Sequence, residues 1–232
     1  MRTKMVIGGL CGLLAIGGAA NASVIWDTGD PTSYGFVASG IGSGDFTIDS
    51  PSAGLMTQNT TGSSAGKYTL PAGPGAGSAA DELVNANGWN MEVRVNVTTP
   101  TSISGGYYQV TVYAGDTLGA FQLGLLPTKA VYYTSGGPVD LATYTAGFHT
   151  FKITRVAGNT TSYEMSVDGG ASVTTSDWAS GTPMAVFGDG SGGSGTGAAQ
   201  WDYVKINAVP EPASLALLGL GGAALLMRRR RG

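Results

Sequence analysis

The sequence predicts an all-β protein whose body folds as a two-sheet antiparallel β-sandwich. Three observations carry that prediction. Apolar and polar residues alternate with period two in several short runs, no segment of the body sustains a helical period, and Gly-rich turns separate the runs. The clearest run is Met91, Val93, Val95 and Val97 against Glu92, Arg94 and Asn96. Phe151 and Ile153 alternate with Thr150, Lys152 and Thr154, and Tyr163, Met165 and Val167 alternate with Ser162, Glu164 and Ser166. Each run turns apolar side chains to one sheet face and polar ones to the other, as in antiparallel sheet packed on one side.

Further strands are expected at residues 24–26, 45–48, 107–113, 121–125, 130–133, 184–187 and 201–206. Asp168-Gly169 between two strand patterns signals a tight hairpin, and Ala157-Gly158-Asn159 separates the strands on either side of it. The Gly/Ser/Thr-rich tract 50–80 reads as a long surface loop, with a turn or two of helix only near 79–86. About ten short strands without an internal repeat make one sandwich domain over residues 23–208.

Composition narrows the function classes. Only 12% of the 232 residues are charged, about half the usual ~25%, which disfavours a cytosolic helical enzyme. The 39 glycines lack the G-X-Y period of collagen. Cys11 and His149 are the sole members of their types, which excludes a disulfide scaffold, a Cys-based zinc site and a His-cluster metal site. Residues 23–208 carry six basic and fourteen acidic residues, a net of −8 against −3 for the whole chain. So acidic a body repels phosphate backbones, which excludes nucleic acid as a partner. A neutral polysaccharide or a divalent cation stays compatible.

Both ends read as addresses. Arg2 and Lys4 precede an apolar, Gly-rich run that closes on Ala20-Asn21-Ala22 before Ser23. A basic start, a short apolar stretch and an A-x-A site make residues 1–22 a cleavable signal peptide, too short for a spanning helix. At the other end Pro210-Glu211-Pro212 precedes an apolar stretch, 213–227, then Arg228, Arg229, Arg230 and Arg231. As a transmembrane helix that stretch rises roughly 22 Å, short of the ~30 Å hydrocarbon core. The arginines snorkel to the headgroups and keep their end cytoplasmic.

The ordered tail of Pro-Glu-Pro, short apolar helix and arginine cluster over 209–232 resembles the PEP-CTERM protein-sorting signal of Gram-negative bacteria. The same tail also goes by the name ice-binding protein C-terminal domain, which implies nothing about ice. The resemblance implies that a membrane-embedded exosortase recognises Pro210, Glu211 and Pro212 and removes the tail. The inner-membrane-anchored precursor then passes to the envelope surface or the extracellular matrix.

A second resemblance lies in the body. The run 148–155, then Tyr163 to Gly169 ending in Val-Asp-Gly, then Phe187-Gly188-Asp189-Gly190 and Gln200-Trp201-Asp202-Tyr203, is similar to concanavalin A-like lectin/glucanase (laminin G-like) jelly rolls. It covers about 88–207, and its turn and core residues imply the jelly-roll fold more than any one function. Glucanases of that class carry E-x-D-x-E along one strand. Here the nearest strand reads Glu92-Val93-Arg94-Val95-Asn96, with a single carboxylate, and glycoside hydrolysis needs two.

Glu92, Arg94 and Asn96 are candidate glycan contacts against the plainer reading of a solvated strand face. Large aromatics are mostly core, and Trp201, expected to share a strand face with Tyr203, is assigned there. Trp89 and Trp178 have polar neighbours and are the candidates for stacking on sugar. Asp189 and Asp202 are candidate Ca²⁺ ligands together with loop carbonyls. The G-x-G-x-x-G match at 188–193 continues into more glycine, not a helix, so it is no phosphate loop. His149 has no recognisable triad partner and reads as a strand-edge or core histidine. The expectation is a surface-sorted, non-enzymatic β-sandwich that binds exopolysaccharide. The competitors are a polysaccharide-active enzyme with an unrecognised site and a self-assembling surface-layer protein.

Overall fold

The computed structural model describes residues 23–41, 45–50, 54–62, 66–71, 88–99, 103–104, 107–156, 158–176, 183–189 and 195–208. The expected signal cleavage residues Ala20 and Ala22, the helix near 79–86, Trp178 and the whole sorting tail lie outside them. In chain order the strands are β1 (Ser23–Trp26), β2 (Val37–Ser39), β3 (Phe46–Ser50), β4 (Leu55–Gly62), β5 (Lys67–Pro71) and β6 (Trp89–Thr99). There follow β7 (Ile103–Ser104), β8 (Tyr107–Tyr108), β9 (Thr111–Gly115), β10 (Ala120–Leu126), β11 (Lys129–Thr134) and β12 (Gly137–Thr143). The last are β13 (His149–Arg155), β14 (Ser162–Val167), β15 (Val173–Ser176), β16 (Met184–Gly188) and β17 (Gly195–Ala208).

They form the predicted antiparallel two-sheet sandwich. The first sheet runs β15-β14-β13-β6-β17-β4-β3, with β1 also paired to β17, and the second runs β12-β11-β10-β9-β16-β5-β2. The 14-residue β17 is long enough to serve β4 over 195–201 and β1 over 204–207 on one edge. Strand β6 shows why the alternation was diagnostic: Met91, Val93, Val95 and Val97 are buried while Glu92, Arg94 and Asn96 are half-exposed. The inward faces of both sheets merge into one core that includes Trp26, Trp89, Phe121, Phe151, Phe187 and Trp201. The Val167-Asp168-Gly169-Gly170 hairpin also forms as the sequence signals. Asp168 and Gly169 have φ of 52° and 68°, the left-handed pair that Asp-Gly turns supply.

Two expectations are corrected. The tract 50–80 is not one long loop, because β4 and β5 lie within it. Inward-facing Gln58 and Thr60 of β4 are polar but fully bonded: Trp201 Nε1 donates to Gln58 Oε1 at 2.9 Å and the Thr60 hydroxyl donates to the Gly197 carbonyl at 3.1 Å. Polar side chains so satisfied tolerate burial. Trp201 and Tyr203 do not share a face either. A bulge between them inserts Asp202, so Trp201 points into the core and Tyr203 to the outer face.

An ion pair joins the sheets. Arg155 of β13 and Asp116, just after β9, are both completely buried. Asp116 accepts from Arg155 Nε at 2.8 Å and Nη2 at 3.2 Å, from Trp89 Nε1 at 3.0 Å, and from the amides of Leu118 and Gly119. Arg155 Nη2 also donates to Tyr163 Oη at 2.6 Å.

Candidate functional site

The outer face of the first sheet gathers most of the predicted polar residues. Register sets their order: Glu92 of β6 lies between Lys152 of β13 and Lys205 of β17, and Arg94 lies between Thr150 and Tyr203. Opposite charges directly across strands stabilise the pairing. Each outward residue of β6 from Asn90 to Asn96 makes a polar contact with β17, on its own rung or diagonally. Asn207 donates to Asn90 at 3.2 Å, Tyr203 Oη donates to Glu92 Oε1 at 2.7 Å, Arg94 forms an ion pair with Asp202, and Asn96 donates to Gln200 at 3.3 Å. The bulge that turns Tyr203 outward is what brings its hydroxyl to Glu92. Lys205 Nζ sits 4.0 Å from the Tyr203 ring centroid, and the Arg94 guanidinium lies 5.0 Å from that of Phe148. Burial pushes the Tyr203 hydroxyl up from the ordinary phenol value. The Thr150 bond opposes this and Glu92 adds to it, so Tyr203 keeps its proton and acts as the donor.

Beyond Thr150 the face ends at the hairpin turn. Thr150 N donates to Asp168 Oδ1 at 2.8 Å, and His149 Nδ1 lies 2.6 Å from Asp168 Oδ2. His149 Nε2 lies 2.6 Å from the Thr145 carbonyl, and its ring sits 4.3 Å from that of Tyr144. His149 is thus the first residue of β13 and has an acidic partner in Asp168. Burial raises the Asp168 carboxyl, yet the Thr150 amide, the His149 ring and the charges of His149 and Arg94 outweigh it and hold the group below the ordinary carboxylate value. Beside this corner a cavity of about 250 Å³ opens between β12 and the β14–β15 hairpin, lined by Leu141, Tyr144, Met165, Asp168 and Val173 among others.

Some candidates are not where the sequence suggested. Trp89 is completely buried and its indole N–H is spent on Asp116, so it cannot stack on a sugar. Its polar neighbours belong to the alternate strand face. Asp189 and Asp202 are not brought together. Asp202 is held by Arg94 on the outer face of the first sheet, while Asp189 is buried just after β16 of the second, its amide on the Gly66 carbonyl. Among the described residues no three His, Cys, Asp or Glu side chains cluster as a metal site. Sequence reasoning missed Tyr203 and Lys205 because it counted through the bulge without seeing it. It missed the Arg155–Asp116 pair although one signal was present, since Arg155 shares inward parity with Phe151 and Ile153.

The fold is that of an all-β, two-sheet antiparallel jelly-roll sandwich. In particular, the chain is similar to the carbohydrate esterase vb_24B_21 from Shiga toxin-encoding bacteriophage phi24B, at 17% identity and TM-score 0.54, over 81% of this chain and 97% of that one. It is also similar to the botulinum neurotoxin serotype D/C VPI 5993 binding domain, at 10% identity and TM-score 0.51, over 82% and 49%. A Bacillus licheniformis beta-glucanase aligns at 14% identity and TM-score 0.46, over 81% and 98%. At these identities the likeness is one of fold. No curated protein sequence matches the chain.

The expectation of a non-enzymatic body is corrected by these findings. A carbohydrate esterase carries this architecture along 97% of its length, so the missing E-x-D-x-E pattern does not by itself exclude catalysis. At the other end of the chain, residues 208–231 match the PEP-CTERM protein-sorting motif. The protein is therefore exported, processed by an exosortase and sorted to the cell envelope. Among the described residues no helix is long and apolar enough to cross a membrane.

Proposed function

We propose that residues 23–208, freed of a signal cut between Ala22 and Ser23, form a polysaccharide-active enzyme of a Gram-negative cell envelope or extracellular matrix. Its work is done on the outer face of the first sheet. One observation carries this reading: the Glu92 carboxylate has a protonated phenol 2.7 Å away and two lysines on its flanking strands. A proton acceptor and a proton donor side by side on an open face are the parts of general acid–base chemistry. The planar amides of Asn96 and Gln200 and the Phe148 ring continue along the same face as glycan contacts. Sorting to the envelope supports a polysaccharide as the molecule met there.

The test is release of reducing ends from laminarin and alginate by the full-length chain in mild detergent. Cleavage of either polymer, lost in Glu92→Gln with an unchanged melting temperature, is the expected result. Equal activity of wild type and Glu92→Gln, or none from a folded protein on any matrix polysaccharide of its host, would overturn the assignment.

A further inference from the structure

The geometry points to an acidic, uronate-bearing polysaccharide as the substrate, cleaved by β-elimination rather than by hydrolysis. This rests on the reading above and specifies it. The body holds six basic residues against fourteen acidic ones, yet Arg94, Lys152 and Lys205 all sit around Glu92 on this one face. The acids that share the face are accounted for. Asp202 is paired with Arg94, Asp168 is engaged by His149 and the Thr150 amide, and Glu164 stands two strands away from Glu92, opposite Thr154 and Thr174. With Arg94 cancelled by Asp202, Lys152 and Lys205 are left on either side of Glu92, a pair of cations placed to receive the carboxylate of a uronate unit.

The chemistry agrees. Hydrolysis needs two carboxyls across the scissile bond, one of them donating a proton. With Asp202 tied to Arg94, the centre of this face offers one carboxylate and one phenol. Elimination needs only those. Lys205 and Lys152 neutralise the uronate carboxylate, which acidifies the proton on the adjacent carbon, C5. The Glu92 carboxylate takes that proton, and its electron pair forms the C4–C5 double bond as the bond from C4 to the glycosidic oxygen breaks. The Tyr203 hydroxyl protonates the departing oxygen. The proton on Glu92 then passes to Tyr203 across their 2.7 Å contact, which restores both groups. No water, oxidant or reductant is consumed.

The experiment gives the full-length chain alginate, polygalacturonate and neutral laminarin. Products are read by ultraviolet absorbance of the new double bond, by reducing ends and by mass. Expected are absorbance and reducing ends rising together on a polyuronate, products lighter by one water than hydrolytic ones, and nothing from laminarin. Glu92→Gln and Tyr203→Phe should each lose about 100-fold or more in kcat. Lys205→Met should raise KM about tenfold with kcat less affected, as for one lost charge-assisted bond, and Lys205→Arg should restore it. Reducing ends without the double bond, on any of the three polymers, would refute elimination while leaving the enzymatic assignment standing. Loss of neither product in Glu92→Gln would refute both.

Discussion

Arg155→Met should be among the costlier single substitutions in the body, and its size follows from the contacts. The change leaves Asp116 buried between the sheets with its counter-charge gone. Breaking a buried pair from one side costs about 3–5 kcal/mol. The lower end applies here, since Trp89 Nε1 and the amides of Leu118 and Gly119 still donate to the carboxylate. For a body of this size about 3 kcal/mol lowers Tm by roughly 6–12 °C. Urea unfolding followed by tryptophan fluorescence measures it directly. Asp116→Asn alone turns a side-chain amide toward donors and should cost a similar amount. The double variant carries no buried charge and should recover about 2–3 kcal/mol of the summed losses. A cost for Arg155→Met below about 1 kcal/mol, or strict additivity in the cycle, would show that the pair is not the electrostatic link between the sheets.

Other outcomes follow from particular contacts. Gln58→Leu strands the buried Trp201 N–H and should cost about 1–3 kcal/mol in urea unfolding. Gly54 has φ of +70° and a Cβ there would lie 2.0 Å from the Asp27 carbonyl oxygen, so Gly54→Ala should lose about 2 kcal/mol or more, read as a drop in Tm. Because the folded state holds Asp168 below its ordinary value of 3.8, its contribution is complete above that value and fades as pH falls through the lower folded one. Asp168→Asn should therefore differ from wild type in stability at neutral pH and converge on it in strong acid, as followed by melts from pH 6 to pH 2. Glu211→Ala in the matched sorting motif should leave the tail uncut, seen as an intact C-terminus by mass spectrometry of the envelope fraction.

The parts of the fold that could be read from the chain are those where one physical cause acts alone. Strand β6 was legible because all its inward residues are apolar, and the hairpin at 168–169 because few dipeptides fit two left-handed positions in succession. Strand β4 was not, since Gln58 and Thr60 follow Met56 on its inward face with polar groups and partners that satisfy them, Trp201 and Gly197, lie far along the chain. Trp89 misled for the opposite reason: Asn90 beside it faces away, so polar neighbours said nothing about its own environment. In the candidate site Glu92, Arg94 and Asn96 were legible by parity. Tyr203 was not, because a single inserted residue reverses every face after it.

The first rung of β1 has a mechanical consequence. Ser23 pairs with Asn207, so the two ends of the described body lie side by side on one rung, and cuts at the proposed sites outside that rung would leave it intact. Lys205, on the rung of Glu92, is three residues from Ala208, about 10 Å of strand. The four residues from Val209 to Pro212 add at most about 14 Å before the apolar stretch begins. On the proposed reading, the polar face therefore stays within roughly 24 Å of the apolar stretch until the tail is removed. On the same reading, removal of the tail frees that face without altering any rung that builds it.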